Sequence, residues 1–507
     1  MGGIKLWLAL SLSLLVVSSR LCVVAKYGVQ EPYMDSFSEI EDYKAVEDGR
    51  LDKVLEHSLS FHIEHRLFLT RWLNVGLFLA NRGHWDLLLQ ACVNAVLAGL
   101  SVFVIAYGLG ARSVNLWHWL FASFTAICFA LPNSYENILW GFQSQHFFFI
   151  LFSLSTILLL VRYRPFCLAW WLGIGSAICS CLSLGSGFYA SLAVCGTCVF
   201  MAFRERYRRA PLWITLIAAF LIGGLYFATL RNVHSPGEYR ADSVRRFIEA
   251  LLGNLAWPNY GGGLAWLSVL MWLPWTILVA AALLRRRAVP RSSYCVIAIG
   301  LWSLTVMVTL SYLRGKYSPY VRYFDYNTVN VVANAAAIGE LVRLKLYPSV
   351  APSVKSGLFG AWVAMVMIGL AHVSHYTMSD FLRARRNELL MERRAINRFL
   401  QTNDVDVLKE PHLHGIVPFR EPYSSALADQ LRDPEVQRFL PKEMKSAEIE
   451  RKPEGLLSLF SRFALRHSGY IWLGSVLWVV ALAVRQFVGA FGARRLLSIA
   501  WWRRVRP

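Results

Sequence analysis

The chain has 507 residues, 56% of them hydrophobic and 17% charged, where a soluble domain carries about 25% charged residues. That deficit excludes an ordinary soluble globular protein and predicts an all-α, polytopic membrane helix bundle, since apolar stretches of about 20 residues recur along the chain. The formal net charge of +20 then reads as basic loops that orient helices and meet anionic head groups, with no nucleic acid as partner.

In chain order, Lys5 is followed by the apolar run Leu6–Val17, which continues through Leu21–Val24 without a small-residue cleavage site. This predicts an uncleaved signal-anchor helix; Arg20 before Leu21-Cys22 speaks against a lipoprotein signal. Twelve spans are expected near 4–24, 85–109, 115–132, 143–161, 166–182, 188–203, 211–230, 264–284, 293–313, 323–342, 357–375 and 469–488. A cytoplasmic N-terminus places Arg112, the Arg162–Arg164 turn, the Arg204–Arg209 cluster, Arg285–Arg287 with Arg291, Arg343–Lys345 and the tail arginines Arg494, Arg495, Arg503, Arg504 and Arg506 on the inner side. The positive-inside rule therefore predicts a multi-pass plasma (inner) membrane protein with both termini cytoplasmic. Leu67–Ala80 is short and interrupted by Arg71, so it reads as a helix lying in the outer interface.

The expected organisation is a transmembrane module over 1–375 with a first outer loop at 25–84, an extracytoplasmic helical segment over 376–468, and a last span with a basic tail over 469–507. The other outer segments are 231–263 and 314–322. In the 376–468 segment, Leu382, Leu389, Ile396 and Leu400 keep helical spacing. Pro411, Pro418 and Pro422 mark an irregular stretch, and residues 424–441 read as helical again, up to Pro441. The nine cysteines lie in or beside apolar stretches, so no disulfide is inferred; Cys195 and Cys198 form a C-x-x-C that reads as helix packing.

Three polar groups stand out on the outer side. The first is Glu31-Pro32-Tyr33-Met34-Asp35-Ser36-Phe37, with Glu39, Glu41 and Asp42 behind it, followed by His62-Ile63-Glu64-His65-Arg66. Glu47 and Asp48 read equally well as a solvated loop, whereas Asp35 sits among aromatic residues that such a loop does not need. His62 and His65 share a helical face and suit a divalent metal; the alternative is a hydrogen-bond cluster in which Arg66 pairs Glu64 or a lipid phosphate. The second group is Pro132-Asn133-Ser134-Tyr135-Glu136-Asn137 with Trp140-Gly141-Phe142-Gln143-Ser144-Gln145-His146. Polar groups beside a membrane helix face a cavity or a partner, or bond neighbouring helices. The third is Arg314-Gly315-Lys316-Tyr317 with Tyr320, Arg322 and Tyr323, a basic outer loop that suits a phosphate or lipid head groups. Gly261–Gly263 lacks the strand and the Lys-Ser/Thr of a phosphate loop.

Together these motifs resemble the GT-C class of integral membrane glycosyltransferases, and in particular an uncharacterised bacterial branch that carries D-x-[WF] after the first helix, then H-x-E-H-R, then W-G-F-Q-x-Q. Here the counterparts are Asp35-Ser36-Phe37, His62–Arg66 and Trp140–Gln145; Arg322-Tyr323 and Asp429–Pro441 are similar to later parts of that branch. The resemblance covers residues 1–441, with Phe37 where Trp is frequent and no counterpart for the last span and tail. It implies a polyprenyl-phosphate sugar as donor, juxtamembrane helices in 43–80 shaping the cavity, and inverting transfer to a glycan, lipid or protein acceptor at the outer face. It implies Asp35 as base, Glu64 and His62 orienting the acceptor, and Arg322 holding the phosphate with Lys316 or Arg314. His65, Arg66, Glu136, Gln143, Gln145 and Tyr323 complete the expected substrate contacts. A transporter or lipid-sugar flippase explains the helices equally well, and a third reading is an assembly protein whose 376–468 segment binds a partner.

Overall fold

The structure is a computed structural model described over residues 2–32, 34–109, 115–204, 209–230, 237–259, 266–284, 289–344, 352–409, 423–444 and 454–504, with the backbone alone for residues 2, 34, 209, 352–356, 423, 442 and 487–504. Tyr33, Arg112, most of the Arg204–Arg209 cluster, Gly261–Gly263, Arg285–Arg287, Lys345, Pro411, Pro418, Pro422 and Arg506 lie outside the described residues, as do the side chains of the other tail arginines.

Among the described residues every regular element is helical. The helices are α1 (Gly2–Tyr27), α2 (Glu39–Glu47), α3 (Leu51–Leu59), α4 (Phe68–Ala80), α5 (Leu87–Leu109), α6 (Leu116–Ala130), α7 (Tyr135–Leu139), α8 (Ser144–Arg162), α9 (Leu168–Cys181), α10 (Tyr189–Arg204) and α11 (Arg209–Thr229). They continue with α12 (Val244–Ala256), α13 (Leu267–Leu284), α14 (Arg291–Leu313), α15 (Phe324–Arg343), α16 (Pro352–Tyr376), α17 (Leu382–Thr402), α18 (Tyr423–Arg432), α19 (Pro434–Phe439), α20 (Leu456–Arg466) and α21 (Ser468–Arg504).

Among the described residues eight helices are long and apolar enough to cross a membrane, within 3–27, 87–109, 141–162, 210–229, 267–284, 291–313, 357–402 and 468–486. The protein is membrane-embedded. Each of the eight coincides with one of the twelve expected spans. The other four fall on α6, α9 and α10, with 15, 14 and 16 residues, and on α15. Three of these are shorter than the roughly 20 residues that bridge the hydrocarbon core. The fourth, α15, has 20 residues but buries Asp325, Asn327, Asn330, Asn334 and Glu340, which dilute its apolar signal.

The bundle core joins α1, α5, α6, α8, α10, α14 and α15 through residues such as Leu12, Val102, Ala126, Ile150, Ala193, Trp302 and Val329. Small residues let these helices close up, as expected where lipid supplies no hydrophobic drive between them. A Cβ on Gly99 would lie 2.5 Å from Val17 Cγ2 and 3.0 Å from Ser13 O, so α1 and α5 touch almost backbone to backbone.

At one end of the bundle, residues 28–86 form a cap of short helices. Helix α4 is a 13-residue helix there, with Arg71 turned inward to donate to Asp42 at 2.5 Å. Helix α16 runs through one wide turn at Thr377–Phe381 into α17, and α17 stops at Asn403, whose φ of 52° is left-handed. Phe37, Tyr43, Phe78 and Trp85 of the cap share an apolar core with Leu389, Ile396, Phe399, Leu408, Leu431 and Phe439. Lys44 pairs with Asp433 at 2.9 Å and Glu435 at 2.6 Å, and Arg393 pairs with Glu31 at 2.9 Å. The later segment is thus built into the cap. Helix α20, absent from the sequence expectation, buries Ser458, Ser461 and Leu465 and exposes Leu456, Leu459, Phe460 and Phe463; Asn81 donates to Ser458 Oγ at 2.7 Å.

Inside the bundle, Arg20 of α1 is 1% exposed. Its Nη2 donates to Asp325 Oδ1 at 2.7 Å and its Nε to the Phe129 carbonyl at 3.0 Å. Removing one partner of a buried pair leaves an uncompensated charge, at a cost of about 3–5 kcal/mol, whereas removing both is often close to neutral. Arg20→Met should therefore lower the melting temperature in detergent markedly, and adding Asp325→Asn should restore part of the loss. A double variant less stable than Arg20→Met alone would show that the carboxylate is needed for reasons other than Arg20.

Candidate active site

Asp35 lies in the 3-10 turn Met34–Ser38, ahead of α2. Ser38 Oγ donates to the Asp35 carbonyl at 2.7 Å, and Trp140 Nε1 donates to Ser36 Oγ at 2.7 Å. The Trp140 motif and the Asp35 motif are therefore bonded to each other. The Arg322 guanidinium lies 4.8 Å from the Trp140 ring centroid, on the same indole that anchors the Asp35 turn.

His62 and His65 do not share a helical face as the sequence spacing predicts. They close a tight turn in which each donates its backbone N–H to the other's carbonyl, at 2.7 and 3.0 Å. Ile63 sits at its tip with φ of 55°. The turn points His62 Nε2 at Asp35 Oδ1, 3.6 Å away, and leaves Glu64 to pair with Arg314. Glu64 thus pairs with Arg314 instead of Arg66. The Gly185 N–H donates to His65 Nδ1 at 3.2 Å, and a Cβ on Gly185 would lie 2.4 Å from the Glu64 carbonyl; only glycine fits against this turn. Because His65 Nδ1 accepts, its proton sits on Nε2, which lies 3.6 Å from Glu64 Oε1.

Glu136, on the five-residue α7, accepts from the Tyr320 hydroxyl at 3.1 Å on both carboxylate oxygens and lies 3.4 Å from Arg322 Nε. Next to it, Asn137 Nδ2 donates to the Arg322 carbonyl at 2.7 Å and to Asp325 Oδ2 at 3.0 Å. Tyr323 accepts from Arg314 Nε at 3.2 Å. Arg314 also donates Nη1 to the Leu313 carbonyl at 3.2 Å, so all three of its nitrogens are engaged within the protein. Lys316 is exposed; its backbone N–H reaches the Tyr239 carbonyl at 3.4 Å, and among the described residues its ammonium makes no ion pair. Gln143 accepts from Gln145 Nε2 at 3.1 Å, and both are buried. A recess opens beside Glu136 and Trp140, with Glu31 and Arg385 also on its walls. Among the described residues no group of three His, Cys, Asp or Glu side chains forms a metal-ligand set.

The charges act on one another. Burial pushes Asp35 up, but the contact with His62 and the fields of Arg322 and His65 outweigh it and hold the carboxyl below its ordinary range. Burial pushes His65 down to about 4 against the pull of Glu64, and Arg314 and His62 push the same way; His65 is neutral at physiological pH. Burial also opposes the charge on Arg322, and Glu136, Tyr320 and Tyr323 outweigh it and hold the guanidinium above its ordinary range. The result is an ionised carboxylate, two histidines and two arginines gathered from the ends of separate helices, an arrangement able to take a proton and to hold an anion.

No protein-family model matches this chain, and no curated protein matches it.

The sequence singled out most of this cluster but missed its supports. Arg20, Asp325, Asn137 as a bridge, and Gly185 lie within or between apolar stretches. A charged residue inside a span is the signal that marks Arg20, since such residues are rare in lipid and keep a partner.

Behind the Asp35 turn, Glu39 is buried and accepts from Tyr43, from Gln90 Nε2 at 2.7 Å and from Asn74 Nδ2 at 3.1 Å. Burial pushes its carboxyl up to about 7, against the hydrogen bonds from Tyr43 and Gln90. The folded state then binds more protons than the unfolded chain between the ordinary glutamate value of 4.5 and about 7. Stability is accordingly highest below that window and falls as pH rises through it. Wild type should lose melting temperature between pH 5 and 7 relative to Glu39→Gln. Parallel curves for the two proteins would show that Glu39 does not titrate there.

Proposed function

We propose that this protein is a membrane glycosyltransferase that moves a sugar from a polyprenyl-phosphate donor to an acceptor at the extracytoplasmic face, with inversion and with Asp35 as base. The observation that carries the reading is the Asp35 carboxylate, half-buried and ionised beside His62, with Arg322 held on the indole that anchors its turn. The acceptor O–H gives its proton to Asp35, and the acceptor oxygen bonds to the anomeric carbon. The bond from that carbon to the phosphate oxygen breaks, with its electron pair left on the phosphate. Arg322 takes up this charge, where fixed cations lower a barrier most. Glu64 and His62 orient the acceptor. A carboxylate held below its ordinary range is a weak base, and the donor phosphate corrects this. Its negative charge on Arg322 cancels part of the field that lowers Asp35, so the base strengthens as donor binds.

The orientation with cytoplasmic termini is supported by basic side chains at the opposite end of the bundle. Arg162 donates to the Gly108 carbonyl at 2.7 Å, Arg291 to the Arg162 carbonyl at 2.9 Å and Arg343 to Ser292 at 2.8 Å. Cys167 is exposed at that end and should resist an impermeant thiol reagent in intact cells, while a cysteine at exposed Ser60 should react. Labelling of Cys167 alone would invert the orientation.

Asp35→Asn should lower release of free polyprenyl phosphate from a labelled donor by about 10²–10⁴-fold, the usual range for a general base, while donor still binds. Arg322→Ala should weaken donor binding by about ten- to a hundredfold, since charge-assisted contacts are worth about 1.5–3 kcal/mol. Arg322→Lys should recover part of it, because a point charge lacks the planar fork. Wild-type turnover by Asp35→Asn removes Asp35 as base, and wild-type donor affinity in Arg322→Ala removes the phosphate assignment.

The second reading, a transporter or lipid-sugar flippase, is favoured by the Arg20–Asp325 pair inside the bundle, since ionisable groups at such depth accompany substrate and ion paths. Sugar that crosses sealed vesicles with no cleavage of the lipid phosphate bond would select it.

A further inference from the structure

Arg66 differs from the other arginines of the candidate site. Arg314 is held by Glu64 and Arg322 by Glu136. Among the described residues the Arg66 side chain makes neither an ion pair nor a hydrogen bond, and its Nε is buried with no partner. It is held by ring faces instead. The guanidinium carbon lies 4.4 Å from the Phe61 centroid and 5.8 Å from that of Tyr226. Contacts of this kind fix the plane of a guanidinium and leave its N–H edge for a ligand. A buried N–H without an acceptor is costly and calls for one.

The surroundings indicate where that acceptor comes from. Tyr226 lies near the end of α11, whose apolar window is only 28% buried in the protein, so most of that helix faces lipid. Leu225 and Phe227 beside it are exposed, and Phe188 lies 5.3 Å from the Phe227 ring. Tyr226 donates to the Leu184 carbonyl at 3.3 Å, one residue before the Gly185 N–H that holds His65. The turn at 182–188 therefore supports Arg66 on one flank and the His62–His65 turn on the other.

We propose that Arg66 is a second anion subsite, which takes the phosphate of a lipid arriving from the bilayer along α11, with the chain of that lipid against Leu225, Phe227 and Phe188. The inference deepens the proposed transferase reading and rests on it only for the isoprenoid identity of the lipid; its test requires no turnover. Planar N–H donors suit a phosphate monoester or diester, and the apolar strip beside them suits its chain.

Purified full-length protein in detergent is titrated with geranylgeranyl phosphate, with geranylgeraniol as the uncharged control and phosphatidylglycerol as competitor. Arg66→Gln should lose affinity for geranylgeranyl phosphate by about ten- to a hundredfold, with geranylgeraniol binding unchanged. Equal affinity in Arg66→Gln and wild type overturns the subsite. Competition by phosphatidylglycerol at equal concentration keeps the lipid-phosphate site and overturns its isoprenoid preference. Should Arg66→Gln not fold, wild-type protein carries the test: geranylgeranyl phosphate, and not geranylgeraniol, should slow modification of Arg66 by phenylglyoxal, read by peptide mass. An unchanged rate overturns the proposal. Loss of transfer in Asp35→Asn with lipid-phosphate binding intact would separate the chemistry from this site.

Discussion

Between α1 and α15, the buried Arg20 guanidinium rests on Asp325 Oδ1, and the other oxygen of that carboxylate accepts from Asn137. A single carboxylate thereby joins the first helix, the short α7 and the start of α15. Asn137 in turn holds the Arg322 carbonyl, and its neighbour Glu136 meets the Arg322 side chain. The backbone and the guanidinium of Arg322 are thus fixed from the same short helix, whose position depends on a charge pair inside the bundle. A pair of this kind contributes little net stability once desolvation is counted. Its effect is on placement, because it ties the first helix, α7 and the start of α15 to one point.

The same logic holds at the mouth of the site with different partners. Glu64 and Glu136 pair with Arg314 and Arg322. These pairs are only partly exposed, so screening weakens them less than surface pairs. On the proposed transferase reading, a donor phosphate would meet arginines already in use. Arg314, with all three nitrogens engaged, is best placed to hold Glu64 and the His62–His65 turn in position. Arg322 has the ring faces of Trp140 and Tyr320 around it and lies 3.4 Å from Glu136.

Much of this was legible in sequence because polar residues between apolar runs have few places to go. Asp35, His62, Glu64, Glu136, Arg314, Arg322 and Tyr323 all fall at helix ends on one side of an alternating chain, and alternation alone gathers them. The details escaped for local reasons. His62 and His65 were spaced for a helix, but the positive φ of Ile63 makes a turn and sends the two rings to different partners. Asp325 gave no signal, and Asn137 gave none of its bridging role, because these roles depend on Arg20, more than a hundred residues away from either. Four expected spans fell on helices too short or too polar to be shown as crossings, since helices inside a bundle can pack on protein and need not match the thickness of lipid. Helix α20 went unread because its amphipathic pattern is only eleven residues long, and that stretch falls inside the expected outer segment without an element of its own.

The cap shows why the segment after α16 belongs in any account of the site. Residues 28–86 are too few and too polar to bury a core alone, and the aromatic residues Tyr43, Phe78 and Trp85 need apolar partners. Leu389, Ile396, Phe399 and Phe439 supply them, and Arg393 answers the otherwise isolated Glu31. The turn that carries Asp35 lies at the edge of that shared core, with Phe37 inside it and the Phe37 carbonyl accepting from Gln430 at 3.2 Å. Any motion of α17 or α18 therefore reaches Asp35 through two residues of backbone. The cap is the cover of the candidate site and also the mount of its carboxylate, so a segment that looks like an appendage in sequence is in structure one wall of that site.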